Sequence, residues 1–354
     1  MKTLTRPSLG LAVVLPLLAA LALWPAPPAA ADKPDDLPKI EKGTHKSYTE
    51  KIPDSDVSFE MVAIPGGTYM MGSPKGEAGR KDDEGPQHPV TVRPMWVGKC
   101  EVTWDEYDLW WKDNPGSKAE QRDVESGKKK VTQKEADAIS RPTPTYADPT
   151  FGYGHDNYPA LSITHHAAMD YCRWLSQKTG HAYRLPTEAE WEWACRAGTK
   201  TPWASGDKPD NLKDYAWYAE NSDDQPHPVG KKKPNAWGLY DMEGNVGEWC
   251  VDFYKKDYYG TLPLNKPSLN PVNLPEGQRY GHSVRGGSWA DKAPGLRSAA
   301  RNASAKSWNK QDPQQPKSIW WLTDGDSVGL RVVRAVEEYD NLKNIRSKIK
   351  WESQ

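Results

Sequence analysis

Asp241 and Glu248 flank the Gly244 turn of the segment 235–249, NAWGLYDMEGNVGEW, which holds three glycines, two tryptophans and three acids. Glycine supplies backbone shapes that residues with side chains avoid, so the segment reads as a tightly folded loop running into a strand. Hard carboxylate oxygens beside carbonyls freed by such a turn are the ligand set of a calcium ion. The other reading is a turn whose carboxylates face water, and spacing alone leaves both open. Cysteines at 100, 172, 195 and 250 form neither a CxxC pair nor a zinc framework. In an exported chain they could pair as disulfides, but Cys172 and Cys195 fall on apolar helix faces, which favours buried thiols. His165 and His166 are neighbours in a helical first turn and diverge around it, which argues against a joint metal site. His227 and His282 are isolated in sequence. Phosphate loops of the GxxxxGK type are absent. With 47 basic and 48 acidic residues, the chain lacks the positive excess of a nucleic-acid surface.

The elements that must position these groups are short. Lys2 and Arg6 precede an apolar run from Leu9 to Trp24, and Ala29-Ala30-Ala31 offers small residues for cleavage. Residues 1–31 therefore read as a signal peptide cut after Ala31, and no later stretch is apolar enough to cross a bilayer. A soluble protein, secreted or periplasmic and not inserted in a membrane, is expected. Residues 32–54 read as a flexible leader. Val57–Ile64 alternates like a strand, Pro65-Gly66-Gly67 turns it, and Thr68–Gly72 returns as a hairpin. Val90–Val97 is a further strand. Thr103 and Glu106 form a capping box for a helix beginning at Trp104, and residues 112–157 are a long polar insertion. Thr164 caps a helix closed by Gly180, and Thr187 with Glu190 caps another closed by Gly198. After that, periodicity is lost. Strands are expected at Trp249–Tyr254, at Ser283–Trp289 with a bend at its glycines, at Arg297–Arg301 and at Val328–Arg334. The charged tail, 336–354, reads as peripheral and capable of helix. Seventeen tryptophans against three phenylalanines suit an irregular core in which loops are packed as well as elements. The class is α+β, with residues 55–335 undivided.

Seven pieces in order resemble the formylglycine-generating enzyme, or sulfatase-modifying factor, family. They are Met61–Gly67 with Met71-Gly72, Glu101-Val102-Thr103, Tyr171–Ser176, Arg184–Trp191, Gly238–Met242 with Gly244-Asn245-Val246 and Glu248-Trp249, Arg285–Trp289 and Gly329–Arg334. The resemblance implies a C-type-lectin-like fold with little regular structure and long structured loops. It also implies a structural calcium held by the side chains of Asp241 and Glu248 and the carbonyls of Gly244 and Val246. In this family copper(I) on two cysteines, with oxygen, oxidises a sulfatase cysteine to formylglycine. Those cysteines stand three and eight residues beyond the serine matched by Ser288, where this chain has Asp291 and Leu296. Neither a carboxylate nor an isobutyl group replaces a soft thiolate, so copper is not expected and no catalytic residue is assigned. The related iron enzymes use an HxxxHxE motif that is also missing. The family's substrate groove maps onto Ser288, Trp289, Asp291, Arg297 and Arg301, although Arg301, like Arg285, also reads as a buried structural arginine. The expectation is a divergent member that keeps the fold to bind a peptide, protein or glycan. The alternative is an enzyme of the same fold, a formylglycine-generating oxidase or one with altered metal chemistry.

Overall fold

Short strands alternate with long ordered loops, as the spacing of proline and glycine dictates. The structure, a computed structural model, describes residues 44–113, 148–315 and 317–349. The expected signal peptide, most of the expected leader and the middle of the 112–157 insertion lie outside the described residues.

Three sheets form among them. The first runs β1 (Tyr48–Lys51), β2 (Ser58–Ile64), β5 (Met95–Gly98) and β11 (Val333–Ala335), all antiparallel. In the second, β10 (Val328–Gly329), β6 (Gly247–Phe253), β8 (His282–Arg285) and β9 (Asn302–Ala303) follow one another. The third is β3 (Gly67–Met71), β4 (His88–Val92) and β7 (Ser268–Leu269).

Several expectations are corrected here. The leader does not run to residue 54, because Tyr48–Lys51 pairs with β2 from Tyr48 opposite Met61 to Lys51 opposite Ser58. β2 and β3 are not a hairpin: β2 pairs with β1 and β5, and β3 with β4. Gly66 lies so close to Pro94 that a Cβ would sit 2.8 Å from the proline ring, and the chain turns a corner there into another sheet. The single strand expected at 90–97 breaks at Arg93-Pro94, since proline has no N–H for a ladder. Residues 297–301 are not a strand; they follow a 3-10 turn at Ala293–Leu296, and the strand begins at Asn302. The tail is not peripheral at its start. Tyr339 and Leu342 are buried, and the Tyr339 hydroxyl accepts the Arg93 N–H at 2.7 Å.

Capping chemistry sets three helices. Helix α1 (Trp104–Asp113) starts where the Glu106 carboxylate accepts from the Thr103 N–H and hydroxyl, both at 3.1 Å. Helix α2 (His165–Thr179) starts where Thr164 Oγ1 accepts from Ala167 N–H and ends at left-handed Gly180. Helix α3 (Glu188–Arg196) has the full capping box of Thr187 and Glu190. Its stop is Ala197, at φ 45°, one residue before the expected Gly198.

The core mixes tryptophan with charge. Trp110, Trp191 and Trp249 are fully buried, and so are Arg285, Arg297 and Arg331. Helix α3 points carboxylates inward to meet them. Glu188 holds Arg301 at 2.7 Å and Arg285 at 3.2 Å, Glu192 holds Arg285 at 2.6 Å, and Glu190 holds Arg184 at 2.6 Å. The pairing offsets a desolvation cost of several kcal/mol per buried ion.

At the start of α2 the rings of His165 and His282 stack at 3.7 Å, nearly parallel. Each Nε2 meets a carbonyl oxygen, of Cys250 at 3.0 Å and of Gln278 at 2.9 Å, which fixes it as the N–H donor and leaves Nδ1 unprotonated. Parallel planes keep the two Nδ1 lone pairs from converging on one metal. Burial holds His165 far below the ordinary value of 6.5 and lowers His166 and His282 to about 4. Groups depressed in the folded state stabilise it fully above pH 6.5, and that contribution is lost as pH falls toward 4. Urea unfolding at pH 7 and pH 5 should therefore show a drop of about 2 kcal/mol from each of His166 and His282, and His282→Gln should show a smaller drop than the parent protein.

Candidate functional site

Every residue from 241 to 250 is buried, so the acidic loop does not lie on the surface. Asp241, Gly244 and Asn245 are left-handed, at φ 55°, 88° and 56°. At Gly244 a side chain is excluded outright, because a Cβ would stand 2.2 Å from the Trp217 carbonyl oxygen. The turn is held by Gly244 N–H donating to Gly286 O and Asn245 N–H donating to Trp217 O.

This geometry turns oxygens inward. Asp241 Oδ2 accepts the Gly230 N–H at 2.7 Å, while Oδ1 is buried and has no partner among the described residues. The carbonyls of Gly244 and Val246 accept no hydrogen bond among the described residues. Burial pushes Asp241 up to about 6. These three residues fit a calcium ion, as free hard oxygens in a dry site. Glu248 fits less well. Its Oε1 receives Arg331 at 2.7 Å and its Oε2 receives Trp191 Nε1 at 2.7 Å, so both oxygens are engaged.

The loop also carries the neighbouring segment. Asn245 O accepts the Trp289 N–H at 2.8 Å, fastening the residues after β8 to the acidic turn. Ser288 and Asp291 form a closed turn there: Asp291 Oδ2 accepts from the Ser288 N–H at 2.9 Å and its hydroxyl at 2.8 Å. Leu296 is wholly buried among Trp203, Leu212, Ala216, Tyr218 and Ala293. Copper(I) does not fit these two positions: one is a hard carboxylate already bound to a serine, the other part of an apolar cluster.

The structure thus brings Ser288, Trp289 and Asp291 together beside Asn245, and sends Arg297 and Arg301 elsewhere. Arg297 is buried against Glu84 at 2.5 Å and Glu77 at 2.6 Å. Arg301 is buried against Glu188, its ring-facing side on Tyr259, at the base of a separate cleft of about 600 Å³. No thiol pair stands in for the missing cysteines. Cys100, Cys172, Cys195 and Cys250 are all free, and burial raises each above the usual thiol range.

Two features escape the sequence reading. Glu101, in a matched segment that carried no assigned role, points Oε1 at the Asn245 side-chain amide at 3.2 Å. Beside it opens a cleft of about 630 Å³ whose acids Asp56, Glu60, Asp105, Glu106 and Asp156 outnumber its one cation, Lys99. Only the folding of β5 and α1 around these residues gathers them, so no local pattern announces the cleft.

Comparisons with known proteins agree with this architecture. Residues 49–336 match the sulfatase-modifying factor enzyme 1-like domain. The chain is similar to the serine/threonine-protein kinase pkn1 of Chlamydia caviae, 28% identical over 256 residues. That match covers 72% of this chain but 37% of the kinase, so the chain spans little more than a third of that relative's length. It is 27% identical over 280 residues to the inactive C-alpha-formylglycine-generating enzyme 2 of Mus musculus, covering 71% of this chain and 81% of that protein. Among solved structures, PvdO from Pseudomonas aeruginosa superposes with a TM-score of 0.56 at 30% identity, over 78% of this chain and 94% of that one.

Two measurements check the site. Gly244→Ala should destabilise the protein by about 3 kcal/mol or more, read as a lowered thermal midpoint, since it adds both left-handed strain and a clash with backbone. A thiol reagent should titrate all four cysteines in denaturant, yet in the native protein react at half-buried Cys100 alone if at all.

Proposed function

This chain belongs to the sulfatase-modifying factor family, and from that premise we propose that it is an exported binding module that does not generate formylglycine. One observation carries the reading. At the two positions where the family places its copper thiolates, Asp291 is tied to Ser288 and Leu296 fills an apolar cluster. A soft metal finds no ligand pair there, and oxidation of a substrate cysteine through it has no foothold. The similarity to a mouse relative named as inactive points the same way.

The ligand in this reading is a peptide, protein or glycan, received near Ser288, Trp289 and Asp291. The acidic lining of the cleft beside Cys100 favours a cationic portion of that ligand. Calcium is the structural ion: Asp241 and the carbonyls of Gly244 and Val246 would hold it, and its charge would keep the acidic loop closed beneath Trp289. Export follows from the basic and apolar N-terminal run, and no helix among the described residues is long and apolar enough to cross a membrane.

To test this, the purified chain is loaded with copper and incubated with a peptide bearing the CxPxR motif of sulfatases. The expected result is no aldehyde, with metal analysis finding about one calcium per chain. Aldehyde formation would reinstate the oxidase.

A further inference from the structure

The cleft between β2, the end of β5 and the start of α1 has Phe59, Val229 and Val332 in its walls and is lined by six acids. They are Asp56, Glu60, Glu101, Asp105, Glu106 and Asp156, against one cation, Lys99. That lysine is already committed: it pairs with Glu60 and lies over the Tyr240 ring at 5.6 Å. Asp105 is committed too, since its Oδ2 accepts the Asn157 N–H at 2.7 Å. Depth separates the rest. Asp56 and Asp156 are exposed, at the mouth, while Glu101 and Glu106 are 2% and 6% exposed and form the floor.

Glu101 lines this open cleft, yet its Oε2 is buried and has no hydrogen-bond partner among the described residues. The carboxylate is held in place from its other oxygen, where Oε1 accepts the Asn245 side-chain amide at 3.2 Å. Arg331, whose charge also acts on Glu101, spends its hydrogen bonds on Glu248 and on the carbonyls of Gly98 and Tyr240. Leaving a buried carboxylate oxygen unpaired is costly, and a cation from outside is the partner that removes the cost. The cavity, about 630 Å³, has the size of a small-molecule site. Apolar walls over an acidic floor suit an aliphatic stem with a cationic head. A hydrated metal ion would gain nothing from those walls.

We propose that this cleft binds an aliphatic chain ending in an ammonium or guanidinium, as lysine and arginine side chains do, with the head seated on Glu101 and drawn in by Asp56 and Asp156. The inference rests on the binding-module reading above and gives it a ligand class and a seat. Asn245 connects the two places. Its side chain donates to Glu101 and its carbonyl accepts the Trp289 N–H at 2.8 Å, so the seat and the Ser288–Asp291 turn share one anchoring residue.

The test is calorimetric titration of the mature chain with end-blocked tetralysine and tetra-arginine, with acetylated tetralysine and with spermidine. The parent should bind the charged peptides, more weakly as salt rises, and ignore the acetylated one. Glu101→Gln should weaken binding about thirtyfold, and the double variant Asp56→Asn/Asp156→Asn about threefold. Asp207→Asn/Asp210→Asn, at two exposed acids outside the cleft, should leave affinity unchanged. Binding of spermidine alone would make the occupant a free polyamine, and binding of the peptides alone a protein segment; either supports the seat. Affinity unchanged in Glu101→Gln, an equal loss in the pair outside the cleft, or a parent that binds none of the probes overturns the proposal. Should Glu101→Gln not fold, the pair at the mouth decides, and no loss there overturns it. Aldehyde in the copper assay would overturn the binding-module reading and leave the titration as it stands, so the two failures are told apart.

Discussion

Buried guanidinium–carboxylate forks are the constraint on which this structure depends. A chain with so few ladder hydrogen bonds must fasten its loops by other means, and arginine does so with five donors in one rigid plane. Arg285 ties β8 to α3 through Glu188 and Glu192. Arg297 ties the segment after it to the loop at residues 77–84, and Arg331 ties the last strands to the acidic loop through Glu248. Each fork joins segments far apart in sequence, so none forms until most of the chain is in place. Such pairs contribute little net energy, because desolvation nearly offsets attraction. Their effect is geometric: a loop displaced by an ångström leaves a buried charge without its partner.

The acidic loop and the segment after β8 are coupled through this scaffold. Gly244 N–H bonds to Gly286, and Asn245 O takes the N–H of Trp289, so the same turn that bares inward oxygens also sets the Ser288–Asp291 turn. An ion at the loop would therefore steady the proposed binding surface without touching a ligand. It would also offset the repulsion of acids that the surrounding tryptophans keep from water. Within this arrangement the loss of the thiolate positions is not a defect in the fold. Asp291 and Leu296 each have a structural employment of their own, one as a turn-former and one as core.

Local chemistry in the sequence was readable wherever it closed within a few residues. Thr164 and Thr187 begin helices because a hydroxyl accepts the backbone N–H three residues on, and Thr103 because its N–H and hydroxyl reach the Glu106 carboxylate. Pro94 breaks a strand for an equally local reason, although the apolar pattern of 90–97 hides it. The supposed hairpin of β2 and β3 failed because strand pairing is decided by partners, and both strands find better ones in separate sheets. The tail escaped notice for a related reason: its charges suggest water, while Tyr339 and Leu342 are buried in the core and Glu338 pairs with Arg184.

The sequence by itself determined the family, the α+β class, the helix starts and the absence of a thiolate pair, since each rests on residue identity or on contacts a few positions apart. Only the tertiary structure decided that Arg297 and Arg301 face buried carboxylates, that Glu248 is claimed by Arg331, and that Glu101 receives the Asn245 side-chain amide. Those outcomes depend on which charges share a low-dielectric interior, and proximity of that kind is a property of the folded chain that no spacing along it encodes.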